Sequence, residues 1–106
     1  MKENKKILAL RVALLIAVSE ANKHKNVNDL GTCNMDTPII FLPKWRKSDI
    51  EQAFKITGLV PSIDGISVHV LRACEGQGFR RTAMAEAFRD SMKEQGYQAV
   101  VDYRMD

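Results

Sequence analysis

The run Ile7-Leu8-Ala9-Leu10-Arg11-Val12-Ala13-Leu14-Leu15-Ile16-Ala17-Val18 restricts this chain more than any other stretch. Read as a helix, it is apolar nearly all the way round, so it has to be covered on most of its sides. A chain of 106 residues makes one domain and one core, enough to cover one or two faces of such a helix. The expectation is that residues 1–25 form an interface helix and that a second subunit covers the rest. The basic opening (Lys2, Lys5, Lys6) and the later Ser19-Glu20-Ala21 mimic a secretory leader. Arg11 breaks that pattern, and the apolar run is too short for a membrane span.

Residues 22–36 are polar and without period, and read as loop. Pro38 to Leu42 is a short apolar run closed by Pro43, the pattern of a strand. Ser48-Asp49-Ile50-Glu51 reads as a capping box opening a helix with Ile50, Ala53, Phe54 and Thr57 on one face, stopped at Gly58. Asp64-Gly65 between two apolar runs predicts a hairpin, with Pro61 placing its first strand at a sheet edge. In the second strand Ile66, Val68 and Val70 alternate with Ser67, His69 and Leu71, which suits a sheet packed on one face. A helix from about Arg81 to Gln95 follows, with Met84, Phe88 and Met92 as its inner stripe and Gly96 as its end. The last strand, Gln98 to Met105, alternates again. The predicted fold class is therefore α+β: an N-terminal helix, then a core over 38–105 in the ferredoxin-like order β-α-β-β-α-β, with helices on one face of a four-stranded sheet.

A net charge of +3 is mildly basic and favours anionic partners without marking a nucleic-acid binder. Cys33 and Cys74, with His24 and His69, offer no zinc-ligand spacing, so no metal or other cofactor is expected. Two cysteines in a chain of this length read as free thiols of a reducing compartment, hence a cytoplasmic protein, ahead of a Cys33–Cys74 disulfide.

One stretch combines backbone freedom, adjacent cations and a helix start: Gly76-Gln77-Gly78-Phe79-Arg80-Arg81-Thr82. Glycines let the backbone approach a ligand, a helix N-terminus offers unpaired N–H groups, and arginine forks match phosphate oxygens. The expected ligand-binding residues are Gly76, Gln77, Gly78, Arg80, Arg81 and Thr82, approached from the other loop by Thr32 and Asn34. Two arginines side by side repel one another, so they are expected to serve an anion and to contribute little to stability. Lys44-Trp45-Arg46-Lys47 is a second basic stretch, in which Trp45 either stacks on a base or packs at the start of a helix. His69 reads as a sheet-surface residue; Glu75 and Asp102 have no carboxylate partner evident in sequence.

Cys74-Glu75-Gly76-Gln77-Gly78-Phe79-Arg80, followed by Met84-Ala85-Glu86-Ala87, resembles the phosphate loop and helix of low-molecular-weight tyrosine phosphatases and related arsenate reductases, over residues 68–103. Cys74, Gly76 and Arg80 match that loop. Gln77 stands where the family has asparagine, Arg81 where it has a hydroxyl residue, and no Asp-Pro pair follows. The resemblance implies a catalytic pair, with Cys74 as nucleophile and Arg80 as phosphate clamp. In size and style the chain also resembles phage proteins that sequester nucleotide signals of bacterial immunity. The leading expectation is an oligomeric protein that binds a phosphorylated small molecule, a nucleotide or cyclic nucleotide, without turnover. The alternatives are a cysteine-dependent phosphatase or arsenate-reductase-like enzyme, and a protein- or nucleic-acid-interaction module. No membrane partner is expected.

Overall fold

The computed structural model describes residues 4–28, 30–31 and 34–105. Helix α1 spans Lys5–Asn22, strand β1 Thr37–Phe41, helix α2 Lys47–Phe54, strand β2 Val60–Asp64, strand β3 Ser67–Leu71, helix α3 Gly78–Glu94 and strand β4 Gln98–Asp102. The four strands form one antiparallel sheet in the order β2-β3-β1-β4. Each strand–helix–strand connection therefore skips a strand: α2 joins β1 to β2 across β3, and α3 joins β3 to β4 across β1.

Alternation along the strands sets the layering. Pro38 and Ile40, Val68 and Val70, and Ala99 and Val101 turn to one face and are buried. Ile40, Val68, Val70 and Ala99 share one core with Ile50, Ala53 and Phe54 of α2 and with Met84, Phe88 and Met92 of α3. The other face keeps Ile39, Phe41, His69 and Asp102 partly exposed, as expected of a sheet covered on one side only. Pro61 lies on edge strand β2, where a missing N–H costs no ladder bond.

Helix α1 packs on α3 and α2 rather than on the sheet. Asn4 caps it, its Oδ1 accepting from the Ile7 N–H at 2.9 Å. Its buried stripe is Ile7, Leu10, Ala13, Leu14, Ala17 and Ala21, a helical repeat of threes and fours. Arg11, the charge that interrupts the apolar run, is bound at the C-terminal end of α2. Its Nη2 donates to the Gln52 carbonyl at 2.6 Å and its Nε to the Ala53 carbonyl at 3.4 Å. A cation there meets the last carbonyls of the helix, of which the Gln52 carbonyl also accepts the Lys55 N–H at 3.2 Å, and the negative end of the α2 dipole.

Several local expectations shift. The Ser48–Glu51 capping box does not form: α2 starts at Lys47, its N-cap is Arg46, and no side chain caps it. Because the helix begins a residue before Ser48, that hydroxyl lies inside the first turn and has no cap to make. The helix also stops at Phe54, short of Thr57, and Ile56 and Gly58 take positive φ in the descending turn. The hairpin turn is Gly65-Ile66, one residue later than Asp64-Gly65, because Asp64 pairs with Ser67. Gly65 supplies the positive φ (61°) that such a tight turn needs. Ile66 therefore sits exposed in the turn and leaves Val68 and Val70 as the inner face of β3. Strand β4 ends at Asp102, and α3 begins at Gly78, so Gly78, Arg80 and Arg81 belong to the helix and not to the loop before it.

Candidate ligand-binding site

The N-terminus of α3 meets the segment that leads into β1, and the chain's own groups fill much of the junction. Asn34 is buried there. Its N–H donates to Gln77 Oε1 at 3.1 Å, and its Nδ2 donates to the Gly78 carbonyl at 3.2 Å and to Thr82 Oγ1 at 3.0 Å. Gln77, the N-cap of α3, makes no capping bond with its side chain; that oxygen receives Asn34 instead. The Thr82 hydroxyl donates to Asp36 Oδ2 at 2.7 Å, and the Arg104 N–H donates to Asp36 Oδ1 at 3.0 Å. The Phe79 N–H donates to the Leu30 carbonyl at 3.0 Å. Gly76 and Gly78 both hold positive φ, 79° and 57°, which lets the backbone turn tightly into the helix.

The two arginines do different things. Arg80 Nε donates to the Val27 carbonyl at 3.0 Å, tying the loop after α1 to α3. Arg81 Nε donates to the Asp36 carbonyl at 2.8 Å. Each therefore ties the helix start to a segment distant in sequence, a bracing role beyond the anion binding expected of them. A guanidinium has five donors, so one bond at Nε fixes its plane without exhausting it. The two terminal nitrogens of Arg81 make no hydrogen bond among the described residues.

Cys74 is a free thiol, half-buried against the core just before this loop. Burial pushes its pKa up from 9.0 to about 11, with the Arg81 guanidinium pulling it down and the Asp36 carboxylate pushing it up. A nucleophilic cysteine needs the opposite shift, toward thiolate at neutral pH.

Of the expected site residues, Asn34, Gln77, Gly78, Arg81 and Thr82 are brought together, with Gly76 beside them. Arg80 faces the Val27 carbonyl. Thr32 and Cys33 lie outside the described residues, so the approach of Thr32 and the Cys33–Cys74 pairing do too. The group that sequence reasoning missed is Asp36. Its side chain is 3% exposed and serves as the internal anion of a helix start whose first turn contains no acid. An aspartate just before Thr37-Pro38 reads as turn chemistry in sequence, and only the fold carries it to Thr82. Asn34 Oδ1 is buried with no donor among the described residues, an arrangement that costs roughly 1–3 kcal/mol.

Two other expectations resolve elsewhere. Trp45 packs against the core, and Lys6 Nζ sits 4.4 Å from its ring centroid, so its face is occupied by a cation. His69 and Asp102, remote in sequence, meet on the open sheet face. His69 Nε2 lies 3.5 Å from Asp102 Oδ2, which also receives Arg104 Nε at 2.7 Å. They line a shallow cleft of about 340 Å³ with Met35, Thr37, Ser62 and Leu71. Glu75 is exposed.

Fold and site together define a small α+β domain, three helices on one side of an antiparallel four-stranded sheet, with a braced loop at the start of its last helix. No family model matches the chain, and neither a curated protein nor a solved structure does. Among the described residues there is no cluster able to hold a metal ion, and no helix long and apolar enough to cross a membrane.

Proposed function

We propose that this protein binds a small phosphorylated molecule at the Gly76–Thr82 turn and does not transform it. The observation that carries this reading is the state of Arg81: oriented through Nε by the Asp36 carbonyl, with neither terminal nitrogen hydrogen-bonded among the described residues. A fork held in place loses little freedom when it takes a phosphate, and charge-assisted bonds of this kind are strong. The positive end of α3 adds to the attraction. Phe79, exposed in the same helical turn, offers a ring to a base, which favours a nucleotide over a bare phosphate ester. Asp36 already offsets part of the positive potential, so the account requires modest affinity for inorganic phosphate alone.

The environment of Cys74 supports binding over cysteine-based turnover. A thiol whose pKa is pushed up toward 11 by burial is mostly protonated at neutral pH, the opposite of what the nucleophile of the phosphatase resemblance needs. We read the core as ferredoxin-like, because two crossovers that each skip one strand give that arrangement.

The test is a melting series against inorganic phosphate, with wild type and Arg81→Lys compared. Lysine keeps the charge and loses the fork. The wild-type melting temperature should climb with phosphate concentration by mass action, and the variant's should climb less. An equal response in both, or none in the wild type, contradicts the assignment.

A further inference from the structure

Helix α1 carries a second apolar seam. Leu8, Val12, Leu15 and Ile16 are 44%, 53%, 43% and 44% exposed, on the side away from the stripe that packs on α2 and α3. Isolated exposed leucines are ordinary; four aliphatic side chains in one helical row are not. The row falls on a seven-residue repeat. Lys5, Leu8, Val12, Leu15, Ser19 and Asn22 are spaced 3-4-3-4-3, the spacing of a two-helix seam, with Ile16 flanking it. The seam is apolar in its middle and polar at both ends, and the spacing reads the same in either direction. Beside it a groove of about 500 Å³ runs between α1 and the turn after α3, lined by Leu8, Ala9, Val12, Gln95 and Tyr97.

We propose that this face docks a second copy of the same chain, the two α1 helices lying antiparallel about a two-fold axis. That axis passes beside residues 13 and 14, and it sets Val12 of one chain against Leu15 of the other and Leu8 against Ser19. Parallel pairing would instead bring Lys5 against Lys5 at a seam position, where like charges repel. The antiparallel arrangement puts Lys5 beside Asn22. The 18 residues of α1 measure about 27 Å at 1.5 Å per residue. With a helix width of about 10 Å the seam covers on the order of 300 Å², and the groove enlarges it, still short of the ~800 Å² per partner of a standard interface. An interface of that size is a weak and transient one, in exchange with monomer at working concentrations.

The experiment is sedimentation velocity over a concentration series of about 1 to 300 μM, a range that reaches weak association. Wild type should pass from monomer to dimer across it. Val12→Glu and Leu15→Lys should each remain monomeric at the top of the range. Both positions are substantially exposed in the monomer, so far-ultraviolet circular dichroism and melting temperature should stay close to wild type and show the variants folded. An equimolar mixture of the two variants should recover dimer, because the antiparallel pairing sets the new acid against the new base. Wild type monomeric throughout overturns the docking surface, as does undiminished dimerisation of either variant. Dimer lost in each variant and not recovered in the mixture overturns the antiparallel arrangement.

Discussion

Replacing Asp36 is the sharpest probe of how the loop before β1 is held to α3. The carboxylate is buried and accepts two hydrogen bonds, from the Thr82 hydroxyl at 2.7 Å and from the Arg104 N–H at 3.0 Å. Hydrogen bonds to a charged group contribute about 1.5–3 kcal/mol each, so their loss in Asp36→Ala removes roughly 3–6 kcal/mol gross. Relief of the desolvation of a buried carboxylate offsets part of this, and about 3 kcal/mol is the expected net cost. Asp36→Asn should cost nearer 1 kcal/mol, because the amide oxygen still serves Arg104 and the Thr82 hydroxyl can turn to the Gly78 carbonyl, 3.2 Å away. The assay is urea unfolding followed by circular dichroism, with Thr82→Val and the double variant completing a cycle. Coupling between the two positions should reach about 1 kcal/mol or more, since they share one bond. In thermal melts the alanine variant should fall by about 15 °C for a domain of this size. A cost for Asp36→Ala below about 0.5 kcal/mol, or a cycle with no coupling, would refute the reasoning.

Arg11→Met keeps the aliphatic stem of the residue but removes the guanidinium from the Gln52 and Ala53 carbonyls, the first of which keeps the Lys55 N–H, and should lower stability by about 1 kcal/mol in the same assay; unchanged stability would show that water replaces the guanidinium at no cost. For Cys74 the folded pKa, about 11, lies above the ordinary 9.0, so the neutral thiol is the form that folding favours. Its contribution is complete below pH 9 and is lost as pH rises toward 11, amounting to about 2–3 kcal/mol at about 1.36 kcal/mol per unit. The stability difference between wild type and Cys74→Ala should therefore shrink across that window and stay flat below it; a flat difference throughout contradicts a raised pKa. p-Nitrophenyl phosphate should not be turned over by wild type, and turnover abolished by Cys74→Ser would restore the enzyme reading.

The periodic parts of this chain were readable before any coordinates. Met84, Phe88 and Met92 announce the inner stripe of α3, Val68 and Val70 the inner face of β3, and Pro61 an edge strand, because each depends on local pattern or backbone chemistry. Helix ends were less legible. Ser48 and Glu51 have capping-box spacing, yet α2 begins before Ser48, so the motif falls inside the first turn. The Gly76–Thr82 turn was recognisable as a place where backbone and cations converge. Its internal wiring was not, since the bonds from Asn34 to Thr82 and from Arg81 to the Asp36 carbonyl cross more than forty residues and leave no periodic trace. The Asp102–His69 approach is invisible for the same reason: it requires β4 and β3 to flank β1. The apolar circumference of α1 was plain in sequence, but only the packing on α2 and α3 separates the buried row from the exposed one.

Arg81 stands at the start of α3 as an oriented fork whose terminal nitrogens make no hydrogen bond among the described residues, and a nuclear magnetic resonance titration reads its proposed role in phosphate binding directly. Protein labelled with nitrogen-15 would be titrated with inorganic phosphate at constant ionic strength, following backbone amides and arginine side-chain resonances together. Saturable shifts confined to Gly76, Gln77, Gly78 and the Arg81 guanidinium are the result expected. Shifts centred on His69 and Arg104 at the open sheet face, or no saturable shift anywhere, would contradict it.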